Sequence, residues 1–431
     1  MLPDQSKNEV VRPASQSEIG GEVLKALIKE RSLLGPLRVM FKRVGYIFQI
    51  PLIFFHPFVV SGPAAARKVL VTERHKLRWR NPDPVTDVLR RGVLVTDGPE
   101  HDHYRALMEP CLTPGVLPAY TNLILRQVKR VTCGWQDGQT VDMLVECRKI
   151  TLLIVMEALF GVDAWDDLGR IWKPILKAIE FVSPGAWIVW RHIPRPSFKK
   201  PLAELDTYLY EIIANRRKSP PRSDLLGHLL EDGLDDDRIR DQMLTMLIAG
   251  HDTSTALLAW TFVLLGQYPA QYVRLVSGLD GSEPGVYPHV LDEVIKEVLR
   301  LYPPIHIGNR VLAESMDFDG VIIPVGERLF YSIYLTHRDP QSWENPDQFC
   351  PERFEHGRKQ PPFAYLPFGG GARACIGAAF GQAETRILLA FLLKNFHFEA
   401  LNALDIQAHM GATLEPRPGV FMKVSHRLIS A

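Results

Sequence analysis

The chain has 431 residues, 46% of them hydrophobic, and its 50 basic and 49 acidic side chains leave a formal charge of +1. That length supports a large core and excludes a small stapled scaffold, and the balanced charge offers no electrostatic footprint for nucleic acid. Five scattered cysteines (Cys111, Cys133, Cys147, Cys350, Cys375) form no CxxC pair, which argues against a zinc ribbon or a disulfide framework and fits a reducing cytoplasm.

The polar start MLPDQSKNEV is not a signal peptide, and residues 1–25 are expected to form a mobile tail before one domain over 26–431. The strongest apolar run is YIFQIPLIFFHPFVVSG, residues 46–62, interrupted by Gln49, Pro51, His56 and Pro57. A spanning helix wants about 20 apolar residues. The run therefore predicts short strands around a proline-bearing turn and no transmembrane segment. Helical spacing dominates from there to about residue 300, as in YTNLILRQVKRVTCGW and LAELDTYLYEIIANRRK. Residues 236–269 read as one helix, apolar nearly all round in its middle and hence buried. Such a helix is roughly 50 Å long, the width of a whole domain. VLDEVIKEVLRLY is a further helix, stopped by Pro303 and Pro304. Strand signals, a proline- and glycine-rich loop region over 337–375, a last helix GAAFGQAETRILLAFLLKNF and an extended tail over 396–430 complete the chain. The expected fold class is α+β, mainly α with a small β part.

Residues 368–377 read FGGGARACIG. Glycines let a backbone approach a sulfur or a flat cofactor closely, and a following helix N-terminus stabilises a thiolate. Such a thiolate suits the axial position of a haem iron, with Arg373 holding a propionate and Phe368 shielding the sulfur. Two other readings stand beside this one. Three glycines before a helix can cradle a phosphate, although the GK[ST] of a P-loop is absent. A lone cysteine is ordinarily a small buried hydrophobe.

The ordering F-x-x-G-x-R-x-C-x-G resembles the haem loop of the cytochrome P450 family, and three further motifs follow that family's order. In EVLR, Glu297 and Arg300 lie three apart on one helix face, flanked by Val294, Val298, Leu299 and Leu301; Arg353 in PERF supplies a third member. AGHDTS, residues 249–254, puts Gly250, Asp252 and Thr253 in the middle of the long helix. Spacing alone leaves open a simple kink with threonine bonding back to a carbonyl. HDHYR places His101 and Arg105 four apart, which by spacing alone is equally a surface pair.

The resemblance covers roughly residues 60–425 and implies the family's triangular single domain. It implies haem b (iron protoporphyrin IX) on Cys375, contacts from Phe368, Gly369, Ala249 and Gly250, and propionate contacts from Arg373, His101, Arg105 and Arg310. Glu297, Arg300 and Arg353 become a structural network that fixes the cysteine loop. AGHDTS implies a local opening of the long helix, with Thr253 hydrogen-bonding bound dioxygen and Asp252 helping to relay protons. The implied activity is monooxygenation of an apolar small molecule with O₂. No fused flavin or iron–sulfur motif is present, so an external ferredoxin or flavoprotein must supply electrons. Pocket candidates are Leu247, Ala249, Ile305, Ile307, Thr413 and Leu414. The segment FVSPGAWIVWRHIPRP, residues 181–196, lies where the family has a mobile lid; its tryptophans Trp187 and Trp190 are expected to line the entrance, with peripheral membrane contact. LRLYPP and PERF look more like the microsomal branch, which leaves the electron donor open. A peroxide-driven peroxygenase and a non-catalytic haem sensor or electron carrier are the alternatives; the intact Asp252–Thr253 pair argues against both.

Overall fold

The computed structural model describes residues 16–30, 32–50, 56–79, 83–183, 197–283, 285–355 and 358–427. Helices α1 (Gln16–Glu30) and α2 (Leu34–Val44) pack on each other ahead of strands β1 (Ile47–Gln49) and β2 (Phe58–Val60). The chain then runs through α3 (Pro63–Arg67), β3 (Leu77–Arg78), α4 (Pro84–Leu89), α5 (Gly98–Met108) and α6 (Leu117–Thr132). After β4 (Thr140–Asp142) come α7 (Met143–Phe160), α8 (Leu168–Val182), α9 (Lys199–Arg217), α10 (Leu225–Glu231), α11 (Asp236–Gln267), α12 (Pro269–Asp280) and α13 (His289–Leu301). Strands β5 (Ile307–Leu312), β6 (Met316–Phe318), β7 (Val321–Ile323) and β8 (Arg328–Ser332) lead to α14 (Ile333–Thr336) and, past the loop region, α15 (Ala378–Asn395). The chain closes with β9 (Phe396–Ala400), β10 (Gln407–Met410), β11 (Leu414–Arg417) and β12 (Phe421–His426). The fold is α+β with helices dominant, as expected.

Local chemistry sets the helices that matter for the site. Asp235 caps α11 by accepting the Arg238 N–H at 2.8 Å, and acidic Asp236 and Asp237 follow in its first turn. The helix ends at Tyr268, before Pro269. Its main neighbour is α7, capped by Asp142 at one end and by left-handed Gly161 at the other. Close approach explains the glycine inside α11: a Cβ at Gly250 would stand 3.1 Å from Val155 Cγ2 of α7. The local opening expected at 249–254 is not found. The helix is continuous there, and Thr253 Oγ1 donates to the Ala249 carbonyl at 2.7 Å.

One hydrophobic cluster runs from Trp79 to Val424 and takes in α7, α11, α13 and α15. A five-stranded sheet, order β1-β2-β8-β5-β3, lies beside it over a smaller cluster that includes Val60, Leu70, Leu329 and Ile333. The strands expected at 46–62 are β1 and β2, antiparallel with Phe48 opposite Val59; residues 51–55 between them lie outside the described residues. Of the tail expected over 1–25, residues 1–15 also lie outside, and helix α1 begins at Gln16. Among the described residues no helix is long and apolar enough to cross a membrane.

Candidate active site

Cys375 sits between a 3₁₀ turn at Gly371–Arg373 and the first turn of α15. Its N–H donates to the Phe368 carbonyl at 2.8 Å and closes the loop. Gly369 and Gly371 adopt φ of 69° and 65°, the left-handed region that side chains rarely enter. At Gly371 a Cβ would also meet the Leu70 carbonyl at 2.2 Å, so the loop packs backbone to backbone on residues 68–72. Cys375 keeps accessible surface, yet it lies deep enough that burial pushes its thiol up, opposed by the Gly377 N–H and the Arg105 charge. The two observations agree if its open face looks into an interior cleft.

Four basic groups, two from α5, one from β5 and one from the loop itself, converge here. Arg105 of α5 donates to the Ala374 carbonyl at 2.8 Å. Arg373 donates to the Thr96 carbonyl and to Asp97, whose other oxygen accepts the Trp79 N–H at 2.8 Å. Arg310 of β5 lies over the Trp79 ring, 5.6 Å from its centre. Burial lowers the Arg373 guanidinium, and the nearby Arg310 charge lowers it further. His101 is buried, bonded to Asp102 at 2.8 Å, and pushed down by burial and by the charges of Arg373 and Arg105. Arginines gathered this closely suit an anionic group among them.

Helix α11 is buried from Ile239 to Leu265 apart from a short window. Ala249 is exposed and Ile248, Gly250 and Thr253 are half-buried in the middle of this otherwise enclosed helix. A hydrogen bond from Ser254 Oγ to Glu384 Oε2 (2.7 Å) ties that window to α15, the helix that starts behind Cys375. This donor set fits haem: one accessible thiol for iron, an apolar Phe368 beside it, exposed small residues for a flat ring, and cations for its carboxylates.

Glu297, Arg300 and Arg353 meet in a hydrogen-bonded hub on the Glu297 carboxylate. Arg300 Nε and Nη2 donate to its two oxygens at 2.7 and 2.9 Å, Arg353 Nε to one of them at 3.3 Å, and the Cys350 N–H to the same oxygen at 2.9 Å. Arg300 also donates to the carbonyls of His337, Pro346 and Gln348. Glu297 and Arg300 are fully buried, so every one of these bonds offsets desolvation. Sequence reasoning missed His337. Its Nε2 accepts the Leu366 N–H at 2.9 Å, so Nδ1 carries the proton and donates to the Arg300 carbonyl at 3.1 Å. Burial and the Arg300 charge push this histidine down to about 3, which keeps it neutral. It links the end of α13 to the strand of chain entering the cysteine loop.

The remaining expected residues are placed less simply. Asp252 is buried; its Oδ1 faces Arg148 Nη2 at 3.2 Å and its Oδ2 accepts from the Thr413 hydroxyl at 2.7 Å. Thr413 is thus an anchor for Asp252. Leu247 and Leu414 correct the expected pocket: both are fully buried in core clusters, and the Leu414 carbonyl accepts Trp260 Nε1 at 2.8 Å. Ile305 is exposed and Ile307 half-buried. Residues 184–196, which carry Trp187 and Trp190 of the expected lid, lie outside the described residues; Phe181 before them is buried and stacks on Phe198. Arg148 and Glu384 were also missed. A charge inside the apolar run CRKITLLIVM was the available signal for Arg148.

Glu384 makes a pH prediction. Burial pushes its carboxyl up to about 8, with the Ser254 hydroxyl opposing. The folded chain therefore holds a proton that the unfolded chain releases near 4.5. Stability from this group is complete below that value and drains away as pH rises towards about 8, by about 5 kcal/mol at most. Glu384→Gln should flatten this dependence. Thermal melts of both proteins between about pH 5 and pH 8 check it; parallel pH curves would remove the shifted carboxyl.

Comparison with known proteins places these observations. The family model described as Cytochrome P450 matches residues 23–422. A Mycobacterium tuberculosis protein named cytochrome P450 138 is 29% identical over 420 residues, covering 92% of both chains. One named cytochrome P450 137 from the same species is 29% identical over 388 residues, covering 84% of this chain and 79% of that one. Among solved structures, a retinoic acid bound cyanobacterial CYP120A1 superposes with a TM-score of 0.81 at 25% identity, covering 94% of this chain and 96% of that one. The cytochrome P450DA heme domain matches in fold, with a TM-score of 0.81 at 23% identity over 92% and 93% of the two chains.

Proposed function

The chain belongs to the cytochrome P450 family, and from that premise we propose that Cys375 is the axial thiolate and that Asp252 and Thr253 handle the protons of oxygen activation. In general chemistry the protein is a haem-thiolate monooxygenase. The observation that carries the residue assignment is the accessible Cys375 face set beside Arg373, Arg310, Arg105 and His101. Haem supplies the electron-rich iron at which O–O cleavage is favoured. The chain's own residues do the rest. Arg373 and Arg310 hold negative charge in a partly buried place, where an arginine stays cationic. The Thr253 hydroxyl spends its proton on the Ala249 carbonyl, so its lone pairs are free to accept a hydrogen bond from a protonated oxygen in the cleft. Asp252 holds a carboxylate one residue away, which is a source and sink for that proton once it leaves Arg148.

The substrate is an apolar small molecule admitted beside Ala249 and Ile305. The retinoic acid bound cyanobacterial relative supports an apolar ligand of that general kind. Electrons come from a separate ferredoxin or flavoprotein, and the protein works in the cytoplasm.

Thr253→Ala tests the proton role. Haem and substrate binding should persist, while product per electron pair falls roughly tenfold or more and hydrogen peroxide rises to match. Parallel assays of electron donor consumed, product and peroxide measure this; unchanged coupling removes Thr253 from the reaction.

A further inference from the structure

Two buried carboxylates share one buried arginine behind the oxygen-activating pair. Arg148 Nη2 lies 3.2 Å from Asp252 Oδ1 and 3.3 Å from Glu415 Oε1. All three side chains are almost fully enclosed. Arg148 is the one buried cation for both carboxylates, the second cation at Glu415 being the solvent-exposed Arg417, and like charges in such a place cannot both be ionised at low cost. Glu415 is also the group with a way out. Its Oε2 stands 3.3 Å from Arg417 Nη2, without a hydrogen bond, and Arg417 is more than half exposed. Directly across the β10–β11 ladder from Glu415 is His409, an exposed residue. Asp252 has no such edge: its oxygens face Arg148 and Thr413.

We propose that Glu415 is a relay carboxylate that takes a proton from solvent at the Arg417–His409 edge and passes it to Asp252. The proposal rests on the Asp252–Thr253 reading above and names the route by which that pair is resupplied. The step balances without any electron transfer. The O–H bond on Glu415 breaks and one forms on Asp252. Arg148 shifts its pairing from the Asp252 carboxylate, now neutral, to the Glu415 carboxylate, now charged. A solvent proton then restores Glu415. Buried polar atoms with no hydrogen-bond partner mark the same neighbourhood: Glu415 Oε2, Arg148 Nε and both ring nitrogens of His251. They are places where a bridging water gains several bonds at once. The charged and titratable groups facing Glu415 are Asp252 of α11, Arg148 of α7, His409 of β10 and Arg417 of its own strand, with His251 of α11 beside Asp252 and Arg148. Burial and the Asp252 charge both hold the Glu415 proton on, while Arg148 and Arg417 oppose them.

Glu415→Gln keeps the shape and removes the titrating proton. In the haem-loaded enzyme with substrate, product per electron pair should fall about tenfold, the solvent deuterium isotope effect should rise, and the pH profile should lose one limb. Asp252→Asn should do the same, and the double variant should be no worse than Asp252→Asn because both lie on one route. A second readout needs no turnover. In a Glu384→Gln background, which removes the other carboxyl held protonated by burial, the infrared spectrum of the resting protein should show a protonated-carboxyl stretch that shifts in D₂O, disappears in Glu415→Gln and moves in Asp252→Asn. If Thr253→Ala and Asp252→Asn uncouple the enzyme while Glu415→Gln keeps full coupling and the carboxyl band, the relay is wrong and the acid–alcohol pair stands. If none of the three uncouples, the underlying reading is wrong as well. Should Glu415→Gln fail to fold, absence of a pH-sensitive carboxyl band from the Glu384→Gln protein overturns the relay by itself.

Discussion

Cys375→Ala should yield a folded chain whose reduced carbon-monoxide complex lacks the long-wavelength band of thiolate ligation, with turnover lost altogether. The substitution removes the single thiol that combines accessible surface, a closing loop and a following helix N-terminus. The other four cysteines are poor substitutes. Burial pushes Cys111 up to about 11 and drives Cys147 higher still. Cys350 is held up by burial and by Glu352 beside it, and Cys133 is exposed on α6's C-terminal end with its Sγ on the Arg130 carbonyl. Far-ultraviolet circular dichroism should be little changed, since the side chain carries no packing load in the core. Retention of the band in Cys375→Ala, or its loss in Cys350→Ala alone, would overturn the assignment.

Glu297→Ala should destabilise the chain by about 3–5 kcal/mol, the scale on which removing one partner of a buried ion pair acts. Arg300 would keep its charge at zero exposure, with only the carbonyls of His337, Pro346 and Gln348 left as acceptors. The Cys350 N–H and Arg353 Nε would lose the same acceptor. Haem uptake should fall with stability, because the segment anchored here leads to the cysteine loop. Chemical denaturation of the haem-free protein measures the first effect and haem titration the second. A loss below about 1 kcal/mol, the worth of an exposed pair, would show that the hub is not built as described.

Much of this site could be read from the chain, for reasons that differ residue by residue. The length of α11 follows from a cap at Asp235, a stop at Pro269 and unbroken apolar spacing, all local signals. Glu297 and Arg300 declared themselves because a charged pair on an apolar helix must be paired or costly. Cys375 and its glycines follow from positive φ and backbone contact, which few residues but glycine permit. What escaped depends on partners far along the chain. Thr413 and Asp252 are 161 residues apart, and nothing in either neighbourhood announces the other. Leu247 and Leu414 look like pocket lining by type, but type does not distinguish a wall of a cleft from the core behind it. Gly250 suggested an opened helix, whereas the contact with Val155 gives the glycine an ordinary packing reason.

The Glu297 hub draws its members from a contiguous stretch. Glu297, Arg300, His337, Pro346, Gln348, Cys350 and Arg353 all precede Cys375 in the chain. A polypeptide leaves the ribosome from its N-terminus, and earlier segments have the first opportunity to fold. The mooring is therefore complete in covalent terms before the cysteine it positions is synthesised. Leu366, pinned to His337, likewise precedes Cys375. Vectorial synthesis thus delivers the mooring of the loop ahead of its cysteine, whereas Glu384 and Thr413, which hold α11 over the site, follow it.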